Sequence, residues 1–162
     1  MSDKKNVFIS HVHEDDGLLS RFKELVSNAN LDVRDYSINS SNPNEASDEN
    51  YIKHGILAPR IQACSTLVVL INHDTAKSEW VNWEIKYAIS QGKNVVGVYA
   101  HGATDADIPE ELAKHAAAIV GWQGERIVKA INGEINSWDD PQTGEARAKG
   151  TEAWTLARYN CK

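Results

Sequence analysis

The sequence predicts an α/β three-layer sandwich, a parallel sheet of about five strands with helices on both faces. Three observations lead there. Short apolar runs of strand length alternate with segments of 3.6-residue periodicity along most of the chain. The two strongest runs, Thr66 to Ile71 and Asn94 to Ala100, are nearly continuous in apolar residues, the pattern of strands covered on both faces. Finally, 162 residues with 41% apolar and 25% charged content suit one globular domain with a substantial core.

Each element follows in order. Val7-Phe-Ile-Ser10 is a short apolar strand that gives way to the polar stretch His11 to Asp16. From Leu18 the apolar positions are Leu18, Leu19, Phe22, Leu25, Val26 and Ala29, a helical stripe. Asp15 or Asp16 can cap that helix, because a carboxylate there accepts from unpaired amides and suits the helix dipole, and Asn28 and Asn30 mark its end. Leu31 to Tyr36 reads as the second strand. The polar, Ser/Asn-rich stretch Ser37 to Asn50 is long for a connection inside a compact domain, and such loops are commonly functional or disordered. Tyr51 to Ala63 has helical spacing through Ile52, Ile56 and Ala63, with Pro59 expected to kink or split it.

Thr66 to Ile71 is then the central strand, and the helix carrying Trp80 ends near Gln91-Gly92. Asn94 to Ala100 is another buried strand. Ile108 to His115 suggests a short helix opening at Pro109, Ala116 to Trp122 a final strand, and Glu125 to Ile135 a final amphipathic helix. Beyond Ser137 the composition turns turn-rich and poorly periodic. This divides the chain into a domain over 1–136 and an extension over 137–162 that either packs on it or mediates self-association, with a short helix expected around Ala153 to Tyr159.

Composition excludes several classes of function. A net charge of −6 and a pI near 5.5 leave no basic face for nucleic acid. No apolar run reaches membrane-spanning length, and Met1-Ser-Asp-Lys-Lys lacks the apolar centre of a signal peptide. Cys64 and Cys161 are too few for a disulfide framework or a metal site, which points to a reducing cytoplasm, and Cys64 reads as a small core residue. The histidines form no metal-binding pair at helical spacing, and His11 and His13 read as loop residues.

In an open parallel sheet, ligands bind outside the carboxyl ends of the strands. Five loops meet that edge: His11–Asp16, Ser37–Asn50, Asn72–Ser78, His101–Asp107 and Trp122–Gly124. Just beyond the central strand lies Trp80-x-x-x-Glu84, an aromatic–acid pair four apart and therefore on one helical face. Val81, Ile85, Ala88 and Ile89 make the apolar stripe of that helix, with Trp80 and Glu84 at its margin and Trp83 and Tyr87 further round. Spacing alone favours a packing anchor beside a solvated acid, since the margins of amphipathic helices are normally charged.

The surrounding residues go further. Leu67-Val-Val-Leu-Ile-Asn-His-Asp-Thr-Ala-Lys-Ser-Glu-Trp-Val-Asn-Trp-Glu-Ile-Lys-Tyr-Ala, followed by Gly92-Lys-Asn-Val-Val-Gly-Val, resembles the central strand, Ser-x-Trp-x-x-x-Glu helix and next strand of the TIR domain family. Within that family it resembles the compact TIR-like domains of prokaryotic Thoeris antiphage systems. Val7-Phe-Ile-Ser-His is similar to the family's first box and Val33-Arg-Asp-Tyr36 to its second, so the likeness runs from about Val7 to Ile135. The Pro-Gly that usually follows the second box is absent, replaced by Ser37 to Asn50.

The resemblance implies a flavodoxin-like sheet and an NAD-cleaving activity in which Glu84 is the catalytic residue, breaking the nicotinamide–ribose bond. NAD is then substrate and not cofactor, and no metal is required because nicotinamide is already a cationic leaving group. The ADP-ribose part would become a cyclic or conjugated second messenger that activates a separate effector, after a phage-derived trigger and with self-association of the chain. Substrate contacts would come from Ser10 and His11 at the end of the first strand, Tyr36 at the mouth of the second, Asn72 after the central strand (with Asp74 beside it) and Trp80 as a wall holding Glu84. A turn or cap accounts equally for Ser10, His11, Asn72 and Asp74, and core cover for Tyr36. Two other functions share the pattern: a non-enzymatic assembly module, and a nucleoside deoxyribosyltransferase-like enzyme using Glu84. A response-regulator receiver fits poorly, since the central strand ends in Asn72 and no lysine lies near Trp122.

Overall fold

The structure, a computed structural model, describes residues 4–12, 16–29, 31–35, 57–100, 102–139 and 146–147. The expected loop at Ser37–Asn50, Tyr36, His13 and the helix expected near Ala153 lie outside them. Along the chain run β1 (Lys4–Ser10), α1 (Asp16–Asn28), β2 (Asp32–Asp35), α2 (Ala58–Gln62), β3 (Thr66–Ile71), α3 (Glu79–Ser90), β4 (Asn94–Tyr99), α4 (Glu110–His115), β5 (Ala118–Val120), α5 (Gly124–Ile131), β6 (Trp138–Asp139) and β7 (Ala146–Arg147). Two 3₁₀ turns, Thr75–Lys77 and Asp105–Asp107, precede α3 and α4.

The strands form one sheet in the order β2-β1-β3-β4-β5-β6-β7. The first five are parallel, as the sequence predicts, with Val7 opposite Thr66 and Leu67 opposite Val95. The sheet then continues past the predicted edge: β6 adds in parallel through Ile119 and Trp138, and β7 closes antiparallel. Alternating side chains separate two cores. Phe8, Leu67, Val69 and Ile71 join Ile61, Val81, Ile85 and Leu112 beneath α2, α3 and α4. Val7, Ile9, Val68 and Leu70 join Phe22, Val26 and Ile127 beneath α1 and α5.

Several expected boundaries move for local reasons. Pro59 lies in the first turn of α2, where its missing N–H costs nothing, and the part of the expected helix before Leu57 lies outside the described residues. The last helix stops at Ile131, four residues early, because Gly133 takes φ 79° and the amides of Gly133 and Glu134 turn back onto Ala130 and Lys129. The fifth strand shrinks to three residues. Gly97 in β4 has a packing reason: a Cβ there would stand 3.0 Å from Leu112 and 3.1 Å from Ile71.

The residues just past Ser137 are built into the sheet. Trp138 is buried in the core under α3, and Asp139 is wholly buried. The Asp139 carboxylate accepts from Arg126 Nε at 3.1 Å, from a second guanidinium nitrogen, and from the Gly121 amide at 3.2 Å. That fork ties β6 to the first turn of α5. Among the described residues no helix is long and apolar enough to cross a membrane.

Candidate functional site

The site is assembled at the carboxyl edge of β1 and β3. Ser10 is the last residue of β1, paired in register with Val69. It follows Phe8 by two, so it faces the same side of the sheet, the side covered by α3. The loop after β3 is held from within. Thr75 is fully buried, its hydroxyl donating to the Leu70 carbonyl at 3.1 Å and accepting from the Asn72 amide at 2.8 Å. Asn72 Oδ1 accepts from the Asp74 amide at 2.8 Å and lies 3.0 Å from Thr75 Oγ1. The loop is thereby delivered to Ser78, which caps α3 by accepting from the Val81 amide at 3.2 Å. Asn82 locks the same turn by donating to the carbonyls of Ala76 and Ser78.

That cap fixes the rotation of α3 and places Glu84 over the end of β1. Ser10 Oγ donates to Glu84 Oε1 at 2.7 Å, a buried bond between residues 74 apart in sequence. Glu84 is 6% exposed and Ser10 1%. Burial raises the Glu84 carboxyl from its ordinary 4.5 to about 8, while the Ser10 hydrogen bond opposes that by favouring the ionised form. The acid at the helix margin is therefore not solvated. A buried carboxyl with its ionisation so displaced, at the carboxyl edge of a parallel sheet, is a candidate for chemistry.

At the same edge, around the start of α3, lies a groove of about 460 Å³ lined by Val12, Asp74, Lys77, Ser78, Glu79 and Trp80; Ser10 and Glu84 do not line it. Trp80 is half-buried and packs on the core under α3 while one surface faces the groove. Trp83 and Tyr87, further round the helix, stack on each other with centroids 5.2 Å apart.

The residues singled out in the sequence take different places. Ser10 and Glu84 are brought together, with Trp80 one helical turn before Glu84. His11 follows the last residue of β1, in the loop where the sequence places it, and is buried there, with its Nδ1 3.1 Å from the Ile9 carbonyl. The Asn72 side chain serves its own turn, as does the Asp74 backbone. Tyr36 lies outside the described residues. Sequence reasoning missed Thr75 as the anchor of the loop and Val12 and Lys77 as groove residues. The Asn72-x-x-Thr75 spacing after a buried strand was the available signal for the first.

A parallel sheet with this crevice, holding an aromatic–acid helix beside the central strand, defines the protein as a TIR-like α/β domain. The model of the Thoeris protein ThsB, TIR-like domain, matches residues 8–105, more than half of the chain, and the chain belongs to that family. The matched span holds Ser10, His11, Tyr36, Asn72, Trp80 and Glu84. No curated protein matches. Among solved structures, a conserved protein from Enterococcus faecalis superposes with a TM-score of 0.53 at 14% identity, covering 82% of this chain and 100% of its own. That likeness supports the fold. The CMP N-glycosidase BcmB of Clostridium botulinum gives a TM-score of 0.42 at 14% identity over 61% of this chain and 75% of its own. The TIR domains of the activated Roq1 resistosome give 0.48 at 12% identity over 96% of each chain.

Proposed function

We propose that this domain cleaves NAD at the nicotinamide–ribose bond, with Glu84 as the catalytic carboxylate. The observation that carries the reading is the buried Glu84 carboxyl, held by Ser10 at the ligand-binding edge of the sheet. Membership in the ThsB TIR-like family supports it. When the bond from C1′ to the ring nitrogen breaks, both electrons go to the nitrogen. Nicotinamide then leaves as a neutral molecule and C1′ becomes oxocarbenium-like. A carboxylate beside that carbon stabilises the developing charge, as acids do in glycoside cleavage. The same cation favours ionisation of a carboxyl that burial otherwise keeps protonated. The oxocarbenium is then captured by water or by another hydroxyl, which loses its proton, giving ADP-ribose or a cyclic or conjugated derivative. Trp80 forms the wall of the groove into which the dinucleotide would enter.

In a Thoeris setting the product acts as a second messenger for a separate effector, with a phage component as trigger and self-association of the chain as a route to the active state. The test is chromatography of small molecules from phage-infected cells carrying wild-type or Glu84→Gln protein, together with nicotinamide release from NAD by the purified protein. A new ADP-ribose-containing species and free nicotinamide with wild type alone are expected. Turnover that survives Glu84→Gln would sink the mechanism. Assembly without turnover under any activating condition would make the domain an interaction module instead.

A further inference from the structure

At the carboxyl edge, most polar side chains near the site are occupied in holding backbone. His11 turns to the Ile9 carbonyl, and Thr75 and Asn72 close the loop after β3. Ser10 differs, because its hydroxyl is directed at another side chain. It sits at the end of a rigid strand, 1% exposed, and reaches Glu84 Oε1 at 2.7 Å. A hydroxyl that deep presents its single proton to the carboxyl before any ligand meets it.

We propose that Ser10 is a positioning residue for Glu84: its Oγ–H holds Oε1, fixes the plane of the carboxyl, and leaves Oε2 as the oxygen that faces the reacting C1′. The proposal rests on the NAD-cleaving reading for the identity of that carbon, and it replaces the expectation that Ser10 binds substrate itself. Strand β1 supplies what a loop cannot. Its end is fixed by pairing with β3, Ser10 opposite Val69, so the donor does not move as the groove fills. A carboxyl on α3 alone would keep rotamer freedom about three side-chain bonds.

Ser10 also bears on when the carboxyl ionises, since a donated hydrogen bond favours the charged form against the effect of burial. Several titratable groups lie on the elements packed against α3. His11 faces the Ile9 carbonyl, Tyr99 donates to Asp105, Glu110 pairs with Lys114 and Glu111 with His115. Arg60 sits in the last turn of α2, and Lys77 lines the groove.

The test compares wild type, Ser10→Ala and Ser10→Thr, each first shown to be folded by its thermal transition. In Ser10→Ala, kcat for nicotinamide release falls by about 10- to 100-fold with KM for NAD unchanged, the loss of one hydrogen bond to a charged group. The pH at which the rate rises moves upward by about one unit. Ser10→Thr, which keeps the hydroxyl, restores both. A raised KM with kcat and pH profile unmoved would instead make Ser10 a substrate contact and overturn the proposal, as would no change at all.

A second readout needs no turnover. Carbon NMR follows the Glu84 carboxyl through its titration, assigned by its disappearance in Glu84→Gln. Ser10→Ala must raise the midpoint. A raised midpoint in a protein that releases no nicotinamide would refute the NAD reading and leave the Ser10–Glu84 coupling standing. An unmoved midpoint refutes the coupling whatever the turnover.

Discussion

Replacing Glu84 by Gln should stabilise the fold at neutral and alkaline pH while abolishing nicotinamide release. Gln keeps the shape of Glu and an oxygen that accepts from Ser10, but it cannot ionise. In the wild type the carboxyl titrates near 4.5 when unfolded and about 8 when folded. Below the lower value it is protonated in both states and contributes no pH dependence. Between the two, the native state holds a proton that the unfolded chain has released, so stability falls as pH rises and the loss is complete above about 8. The slope is a little over 1 kcal/mol per pH unit, hence about 3 kcal/mol between pH 5 and pH 7 and about 5 kcal/mol across the whole window. Urea unfolding of both proteins, followed by tryptophan fluorescence at pH 5, 6, 7 and 8, isolates this group because every other titration is shared. The difference in unfolding free energy should widen steadily in favour of Glu84→Gln. Two curves that run parallel across that range would mean that Glu84 ionises as a hydrated acid, and the argument from burial would fail.

Two further outcomes follow from the packing. Arg126→Ala leaves the fully buried Asp139 carboxylate without its cation and should cost about 3 kcal/mol in urea unfolding. Adding Asp139→Asn to that variant removes the stranded charge and should recover part of the loss. Gly97→Ala places a methyl at 3.0 Å from Leu112 and should lower stability by about 1–3 kcal/mol, with a lower thermal midpoint as the check.

How much of this was legible in the sequence depended on how many residues carried each signal. β3 and β4 were plain because the five positions after Thr66 and the five after Asn94 are all buried between two helical layers, which keeps them free of charged residues. The start of α3 was readable because its cap, its stripe and the Trp80–Glu84 spacing fall within a dozen residues. The burial of Glu84 was not, since a helical wheel shows only the helix's own faces. The residue that covers and holds it, Ser10, comes from a strand 74 positions earlier. β6 and β7 have two residues each, too few for any periodicity, and Trp138 and Asp139 enter the sheet through one indole and one ion pair. Gly133 lies inside the stretch Glu125 to Ile135 that reads as one helix, and only its backbone, at φ 79°, shows that α5 ends at Ile131.

The pairing of β4 with β5 separates the part of this chain that sequence comparison matches from the part that can stand alone. The matched span ends at residue 105, while β5, β6, α4 and α5 follow it. A protein cut there would keep Ser10, Trp80 and Glu84. It would also turn β4, an interior strand, into a bare rim of unpaired amides flanked by Val96 and Val98, a template for edge-to-edge aggregation. A fragment chosen by family likeness alone would therefore be expected to precipitate before it could be assayed.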